Sequence, residues 1–398
     1  MQLIDIQIFK NLTEKYFETV KNHYRILHAC PELSYEEFKT SQYIQNQLDR
    51  MKIPYRAGIA GTGILAKIEG QCGGKTIALR ADMDALPVGE QTLLAYKSEN
   101  EGIMHACGHD AHVACLLGAA EMLNTLRNDF AGKILLIFQP GEEKSPGGAK
   151  LMLDEGIFDD ETPELIVAQH VSIDYPVGTL AFLSGRIMAS ADEIHVKIRG
   201  KGGHGALPHK INDTVLATAQ VLVALQQVKS RLCHPLVPMV LTFGKFIANG
   251  ATNLIPNEVQ LSGTFRTLDE KWRQEAKNHI RRIINETAAA FGCIAEIIMP
   301  DGYPCVDNDF IITEKAREFA REFIGGENVK DLEVRLTAED FGFFSQKFPA
   351  TFFRFGVRGA ANADTGELHS ATFQIDENAL RYGMGGMAWL AVKFLSEK

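Results

Sequence analysis

At 398 residues the chain is longer than one hydrophobic core usually serves, so two domains are expected. Its 41 basic and 50 acidic residues leave a formal net charge of −9, and no long Lys/Arg run offsets it, which argues against nucleic acid as a partner. With 45% hydrophobic and 23% charged residues, the composition is that of an ordinary soluble protein with a large core.

The stretch from Met1 to Asp5 has no basic region followed by an apolar run, and nothing in the chain is apolar for long enough to span a bilayer. The seven cysteines are odd in number and scattered, which suits reduced thiols. A cytoplasmic protein without membrane attachment is expected.

In chain order, residues 7–28 carry apolar side chains at helical spacing (Leu12, Tyr16, Val20, Tyr24, Leu27). A second amphipathic segment follows Pro31, with Ser34 as N-cap and Glu37 as its capping-box partner. Strands are expected from Ile64 to Ile68 and from Thr76 to Ala81, the latter running into Asp82 and Asp84. A helix after His109 reaches about Leu126. The apolar strand from Lys133 to Phe138 ends at Gln139, Gly141, Glu142 and Glu143, and another from Leu165 to Ala168 ends at His170. Continuous apolar strands separated by helices indicate an α/β fold, a mostly parallel sheet with helices on both faces. Ligands of such sheets gather beyond the carboxyl ends of the strands.

After Gly185 the pattern changes to alternating strands (192–199, 238–246, 258–266, 295–299) and two helices (214–228, 272–291), the β-α-β-β-α-β order of a ferredoxin-like unit. Residues 184–302 are therefore expected to form an inserted domain, with 1–183 and 303–398 as a discontinuous catalytic domain. A helix from Phe310 to Phe323, a strand from Thr351 to Phe355 and a closing helix from about Glu377 to Leu395 complete the second segment.

The densest concentration of chemistry lies between Met104 and His112, where His105, Cys107, His109, Asp110 and His112 precede an apolar helix. Cys-x-His alone is a short and unspecific spacing, equally read as a buried thiol beside a capping histidine. Glu142, Glu143, His170 and His369 at strand ends and in a late loop favour a metal site, and thiolate, imidazole and carboxylate together suit Zn²⁺ or another first-row divalent ion. Five ligands exceed one tetrahedral site, so two ions sharing a ligand are the economical reading. Of the two adjacent glutamates, one can bind metal while the other acts as general base.

The chain resembles the co-catalytic metallopeptidases that include aminoacylases, acetylornithine deacetylases and carboxypeptidase G. It is similar in particular to the branch of N-acyl-amino-acid amidohydrolases, hippurate hydrolases and auxin-amino-acid conjugate hydrolases. The matching residues occur in order through nearly the whole chain: His28 with Pro31 to Ser34, Arg80 to Pro87, Met104 to Asp110, Phe138 to Glu143, Gly200 to His204, Asn253 to Pro256, Glu339 to Phe341, and His369 with Ser370. The resemblance implies two divalent ions (Zn, Mn, Co or Ni) held by Cys107, His109, Glu143, His170 and His369, with Cys107 bridging and Glu142 as general base. It implies a zinc-peptidase-like catalytic domain whose inserted lid domain dimerises, with His204 reaching a partner's site to stabilise the oxyanion. Read without the resemblance, His204 is a surface turn histidine.

Asn253 and Arg266 are similar to substrate-carboxylate contacts, although an inter-strand ion pair is an equal reading for Arg266. Where the wider superfamily has a histidine ligand, this chain has Asp82; Asp84 is then expected either to brace a ligand from behind or to serve the strand end alone. Gly141 and Ala111 stand where the family more commonly has Ala and Gly. The remaining histidines (23, 28, 105, 112, 195, 209, 234 and 279) are expected to be structural or exposed. The implied activity is hydrolysis of the amide bond of small N-acyl amino acids. A dipeptidase or carboxypeptidase on the same scaffold is the alternative, and a non-catalytic metal-binding dimer a third.

Overall fold

A computed structural model of the protein describes residues 4–359 and 366–397; Met1 to Leu3, part of the N-terminal stretch considered above, lie outside the described residues. The chain divides into two compact units, one built from residues 1–187, 307–333 and 343–398, the other from 188–306 and 334–342.

The larger unit contains an eight-stranded sheet. Six of its strands come in succession, β1 (Tyr55–Ile59), β2 (Gly63–Glu69), β3 (Thr76–Asp82), β4 (Lys133–Gln139), β5 (Leu165–Pro176) and β6 (Leu180–Phe182); Val329–Asp331 and Ala350–Arg358 join from the far side of the insertion. The spatial order is β1, β2, β4, β3, β5, Ala350–Arg358, β6, Val329–Asp331. The pairs β4 with β3, β3 with β5, β5 with Ala350–Arg358, and β6 with Val329–Asp331 are parallel. The hairpin of β1 and β2, the β2/β4 pair and the β6 edge run antiparallel. In β3 and β4 six consecutive residues are buried, as only a sheet covered on both faces requires.

Helix α1 (Ile6–Ala29) starts where the Asp5 carboxylate accepts from the Gln7 N–H (2.8 Å), and it buries Phe9, Phe17, Val20, Tyr24 and Leu27 on one face. Helix α3 (His109–Thr125) is buried on almost every side, packed between α1 and the C-terminal helix Ala379–Ser396. At Gly118 a Cβ would stand 2.3 Å from Val20 Cγ2 and 2.6 Å from Met384 Sδ, so the hydrogen of glycine is what lets the helices close.

One sequence expectation fails. Helix α2 (Phe38–Met51) is capped by neither Ser34 nor Glu37; its Lys39 and Thr40 N–H groups donate to the Glu32 carboxylate (3.1 and 2.9 Å). Ser34 Oγ donates instead to the buried Asp84 carboxylate (2.6 Å), and Glu37 accepts from the Tyr35 and Gly141 N–H groups (2.9 and 2.8 Å) and the Thr62 hydroxyl (2.7 Å). A buried carboxylate that has lost water needs donors more than an exposed helix end needs a cap, and tertiary partners override the local motif.

In the second unit the strands lie in the order Met239–Ile247, Glu258–Thr267, Asp192–Arg199, Ile294–Ile298, all antiparallel, with helices Thr214–Gln227 and Glu270–Ala290 packed against them. This is the split βαβ arrangement. Asp192 is buried between Arg273 and Lys277, tying the first strand to the second helix. Among the described residues no helix is long and apolar enough to cross a membrane.

The packing at Gly118 is open to direct test. Gly118→Val should destabilise the protein by about 1–3 kcal/mol through overpacking, read as a lower melting temperature in differential scanning fluorimetry. An unchanged melting temperature would show that α3 is not held as closely as described.

Candidate metal centre

The carboxyl ends of the parallel strands bring the candidate residues together. β3 ends at Asp82 and leads to Asp84, β4 leads into Gly141, Glu142 and Glu143, and β5 carries His170. Cys107 and His109 come from the start of α3. His369 comes from a turn in which its backbone is left-handed (φ 63°) and its N–H donates to the Ala106 carbonyl (2.8 Å).

Among the groups of donor atoms that lie within 4.8 Å of one another are Cys107 with His109 and His170, Cys107 with Glu143 and His369, His109 with Glu142 and Glu143, and Asp82 with His109 and His112. Cys107 belongs to two of them. Its Sγ lies 3.4 Å from His170 Nε2, and His369 Nε2 lies 3.2 Å from Glu143 Oε1. All five expected ligands and Glu142 are thus gathered in one place.

The imidazoles are oriented by their outer nitrogens. His109 Nδ1 is 3.0 Å from the Asp84 carbonyl and 3.1 Å from its Oδ1, so Nδ1 carries a proton. Among the described residues the inner Nε2, which is buried, has no hydrogen-bond partner. His170 Nδ1 sits 2.8 Å from the Val171 carbonyl and 3.1 Å from Arg354 NH1; a nitrogen that close to a carbonyl oxygen needs the proton between them, so the Arg354 group is assigned to the same carbonyl, to which it donates at 3.2 Å. Nε2 of His170 therefore presents its lone pair. Burial, with the neighbouring Arg354 charge, holds the His170 pKa well below its ordinary value and keeps the ring neutral.

A metal fits this donor set. Burial acts to lower the His109 pKa, but Asp82, Cys107 and Asp84 outweigh it and raise it well above the usual value. The surroundings call for positive charge at that ring. Burial likewise pushes the Cys107 thiol up to about 12, so it would ionise only beside a cation. Thiol, imidazole and carboxylate donors match a first-row divalent ion.

The residues behind the ligands are as ordered as the ligands. Asp84 Oδ2 accepts from Ser34 Oγ and from the Glu143 N–H (2.9 Å), so one carboxylate braces both His109 and the Glu142–Glu143 turn. Gly141 has φ 57°, and a Cβ there would stand 2.3 Å from the Tyr35 ring. That accounts for the glycine at this position.

The histidines set aside by sequence have other partners or none. His112 Nδ1 faces Asp82 Oδ1 (2.5 Å) and its Nε2 accepts the Val171 N–H (2.9 Å), so neither nitrogen is free for a metal. Both nitrogens of His105 are buried without a hydrogen-bond partner among the described residues, and burial lowers its pKa to about 4. For His28, burial opposes protonation, but Asp110 (2.7 Å) and Glu90 (3.3 Å) raise its pKa to about 9. Sequence reading gave no task to Asp82, Arg80 or Arg354, and gave Glu37 only the capping role that it does not fill. The clues for the first two were the departure at position 82 and a basic residue two places earlier on the same strand.

In the second unit, His204 and Leu254 are register partners in a short antiparallel pair, and the Gly205 N–H donates to the Asn253 carbonyl (2.9 Å), which places His204 and Asn253 side by side. His204 Nδ1 accepts the Ala206 N–H (3.0 Å), which leaves the proton on Nε2. Arg266 donates to the Leu336 carbonyl (3.1 Å), and among the described residues it forms no ion pair.

Comparison with known proteins agrees with this layout. Residues 78–391 match the model of Peptidase family M20/M25/M40. The chain is 38% identical to thermostable carboxypeptidase 1 of Saccharolobus solfataricus, over 93% of this chain and 94% of that protein. It is also 38% identical to N-acetyl-L-cysteine deacetylase of Bacillus subtilis, over 92% and 85%. Among solved structures, a putative aminohydrolase of methicillin-resistant Staphylococcus aureus superposes with a TM-score of 0.93 at 31% identity, covering 98% of this chain and all of that one. A Bacillus subtilis protein described as a dinuclear metal-binding peptidase of the M20 family gives 0.82 at 33% identity, over 96% and 99%. By sequence and by fold, the chain belongs to Peptidase family M20/M25/M40.

Proposed function

We propose that this metal-dependent hydrolase cleaves the amide bond of small N-acyl amino acids, with Cys107, His109, Glu143, His170 and His369 holding two divalent ions and Glu142 as general base. The observation that carries the reading is the placement of Cys107 in two donor groups at once, with Glu142 beside Glu143 and His109. Bound there, two divalent ions would supply Lewis acidity and lower the pKa of water toward about 7.

The chain's own residues account for the proton. Glu142, only 7% exposed, is proposed to take a proton from water as the water oxygen bonds to the acyl carbon, then to pass it to the nitrogen as the C–N bond breaks. The products are a carboxylate and a free amino acid. Asp84 supports the step by holding the Glu143 N–H and His109 in fixed positions. His204, with its proton on Nε2, is proposed as an oxyanion donor contributed by a partner copy through a dimer of the second unit. Asn253 and Arg266 are proposed to meet the substrate carboxylate; the absence of an ion pair at Arg266 among the described residues supports that reading over an inter-strand pair. The seven unpaired cysteines support a reducing, cytoplasmic setting.

The likeness to thermostable carboxypeptidases favours a second substrate class, peptides cleaved at the C-terminal residue. Both classes release an amino acid with a free carboxylate, and they differ in what stands on the acyl side. Protein reconstituted with Zn²⁺, Mn²⁺, Co²⁺ or Ni²⁺ should hydrolyse N-acetyl and N-benzoyl amino acids faster than unblocked dipeptides, as measured by release of free amine. Preference for the dipeptides would move the assignment to peptidase. Glu142→Gln should bind metal normally while losing at least about two orders of magnitude in kcat, and retained turnover would remove Glu142 as the base. Cys107→Ser should lower the metal content of the purified protein; unchanged stoichiometry would take Cys107 out of the ligand set.

A further inference from the structure

We infer that His112, backed by Asp82, is a positioning residue that sets the orientation of His170 and the spacing between the two elements that carry His109 and His170. The inference rests on the two-ion reading above.

Several of the contacts form one buried relay. Arg80 donates through Nε to Gln139 Oε1 (2.8 Å), and its NH1 group donates to Asp82 Oδ2 (2.6 Å). Asp82 Oδ1 faces His112 Nδ1, and His112 Nε2 accepts the Val171 N–H. The other end of Val171 is its carbonyl, which receives the Nδ1 proton of His170. Every side chain from Arg80 to His112 is fully buried, and His170 is 5% exposed.

The direction of both His112 bonds is determined. A peptide nitrogen only donates, so His112 Nε2 must be the unprotonated nitrogen and Nδ1 must hold the proton that Asp82 receives. Asp82 is pinned from its other oxygen by Arg80, so the ring cannot turn over without leaving a buried carboxylate oxygen and a buried N–H unpaired, at a cost of about 1–3 kcal/mol for each such group. The Val171 N–H is thereby held toward α3, and His170 is fixed with Nε2 toward Cys107.

Ring contacts support the same role. His112 lies 4.5 Å from the His170 ring and 5.4 Å from the His109 ring, centroid to centroid, while His109 and His170 are 5.9 Å apart. It is a spacer between two proposed ligands as well as a hydrogen-bonding link.

The two functions of the ring can be separated by substitution. In His112→Asn the amide can still donate to Asp82 but no acceptor reaches Val171; in His112→Gln an amide oxygen can stand near the Nε2 position and accept from Val171. Zn²⁺ affinity and stoichiometry would be measured on full-length protein by competition with a chromophoric chelator, alongside the melting temperature of the metal-free forms. We expect His112→Asn to weaken binding of one of the two ions by about 10–100-fold, with His112→Gln much closer to the parent. Equal, parent-like affinity in both variants would overturn the inference, as would affinities that fall in both only in step with the metal-free melting temperature. A parent protein that binds no Zn²⁺ would overturn the two-ion reading itself, whereas a parent that binds two while His112→Asn also binds two unchanged would overturn the positioning role alone.

Discussion

Much of the larger unit is arranged around keeping two aspartates charged in a place with no water. Asp82 and Asp84 are both essentially buried at the end of β3, and a carboxylate there is tolerable only if each oxygen is met by a donor. Asp84 is met by Ser34, His109 and the Glu143 N–H; Asp82 by Arg80 and His112. Apart from Arg80 on β3 itself, these partners come from the N-terminal segment, the turn after β4 and the first turns of α3. Satisfying the two carboxylates therefore fixes the relative positions of the segments that bear His109, Glu142 and Glu143. The electrostatic demand of a fold interior and the geometric demand of a metal centre are met by the same bonds.

The same logic explains how much could be read from sequence. The apolar runs that became β3, β4 and β5, and the alternation that became Asp192–Arg199, stand out because burial on two faces or on one leaves a plain periodic trace. The candidate ligands were legible because thiol, imidazole and carboxylate groups placed just after such runs have few other uses in a core. What could not be read was partnership across long separations. Ser34 and Glu37 had the spacing of a capping box, and nothing local shows that Asp84 lies near one and Gly141 near the other. His112 was set aside as a non-ligand, but only the fold shows what occupies its two nitrogens. The edge strand β1 and the short β6 were missed because each is too brief or too polar to leave a periodic signal.

Relatives named as carboxypeptidases and as deacetylases match this chain at the same identity, and the metal centre makes clear why a common core can sit beneath different substrate names. The groups gathered around Cys107 are proposed to act on the amide and on the water, and both are common to every substrate of this kind. The oxyanion and the carboxylate that His204, Asn253 and Arg266 are proposed to meet are common to both substrate classes as well, so the difference lies in what contacts the acyl side. Fold and reaction type are accordingly far better determined by the structure than the identity of the acyl group.

The order of strands in the large sheet bears on how the protein is made. β5 and β6 follow one another in the chain but are not neighbours, because Ala350–Arg358, encoded after the whole insertion, lies between them. While a ribosome is still translating the middle of the message, the nascent sheet has an open flank along β5, an unpaired edge of the kind that invites wrong partners. His170 sits on that flank, and His369 is still to come. Four of the five proposed ligands are thus made early and wait through the synthesis of an entire domain, so metal loading of the complete site belongs to the last stage of the chain's biogenesis.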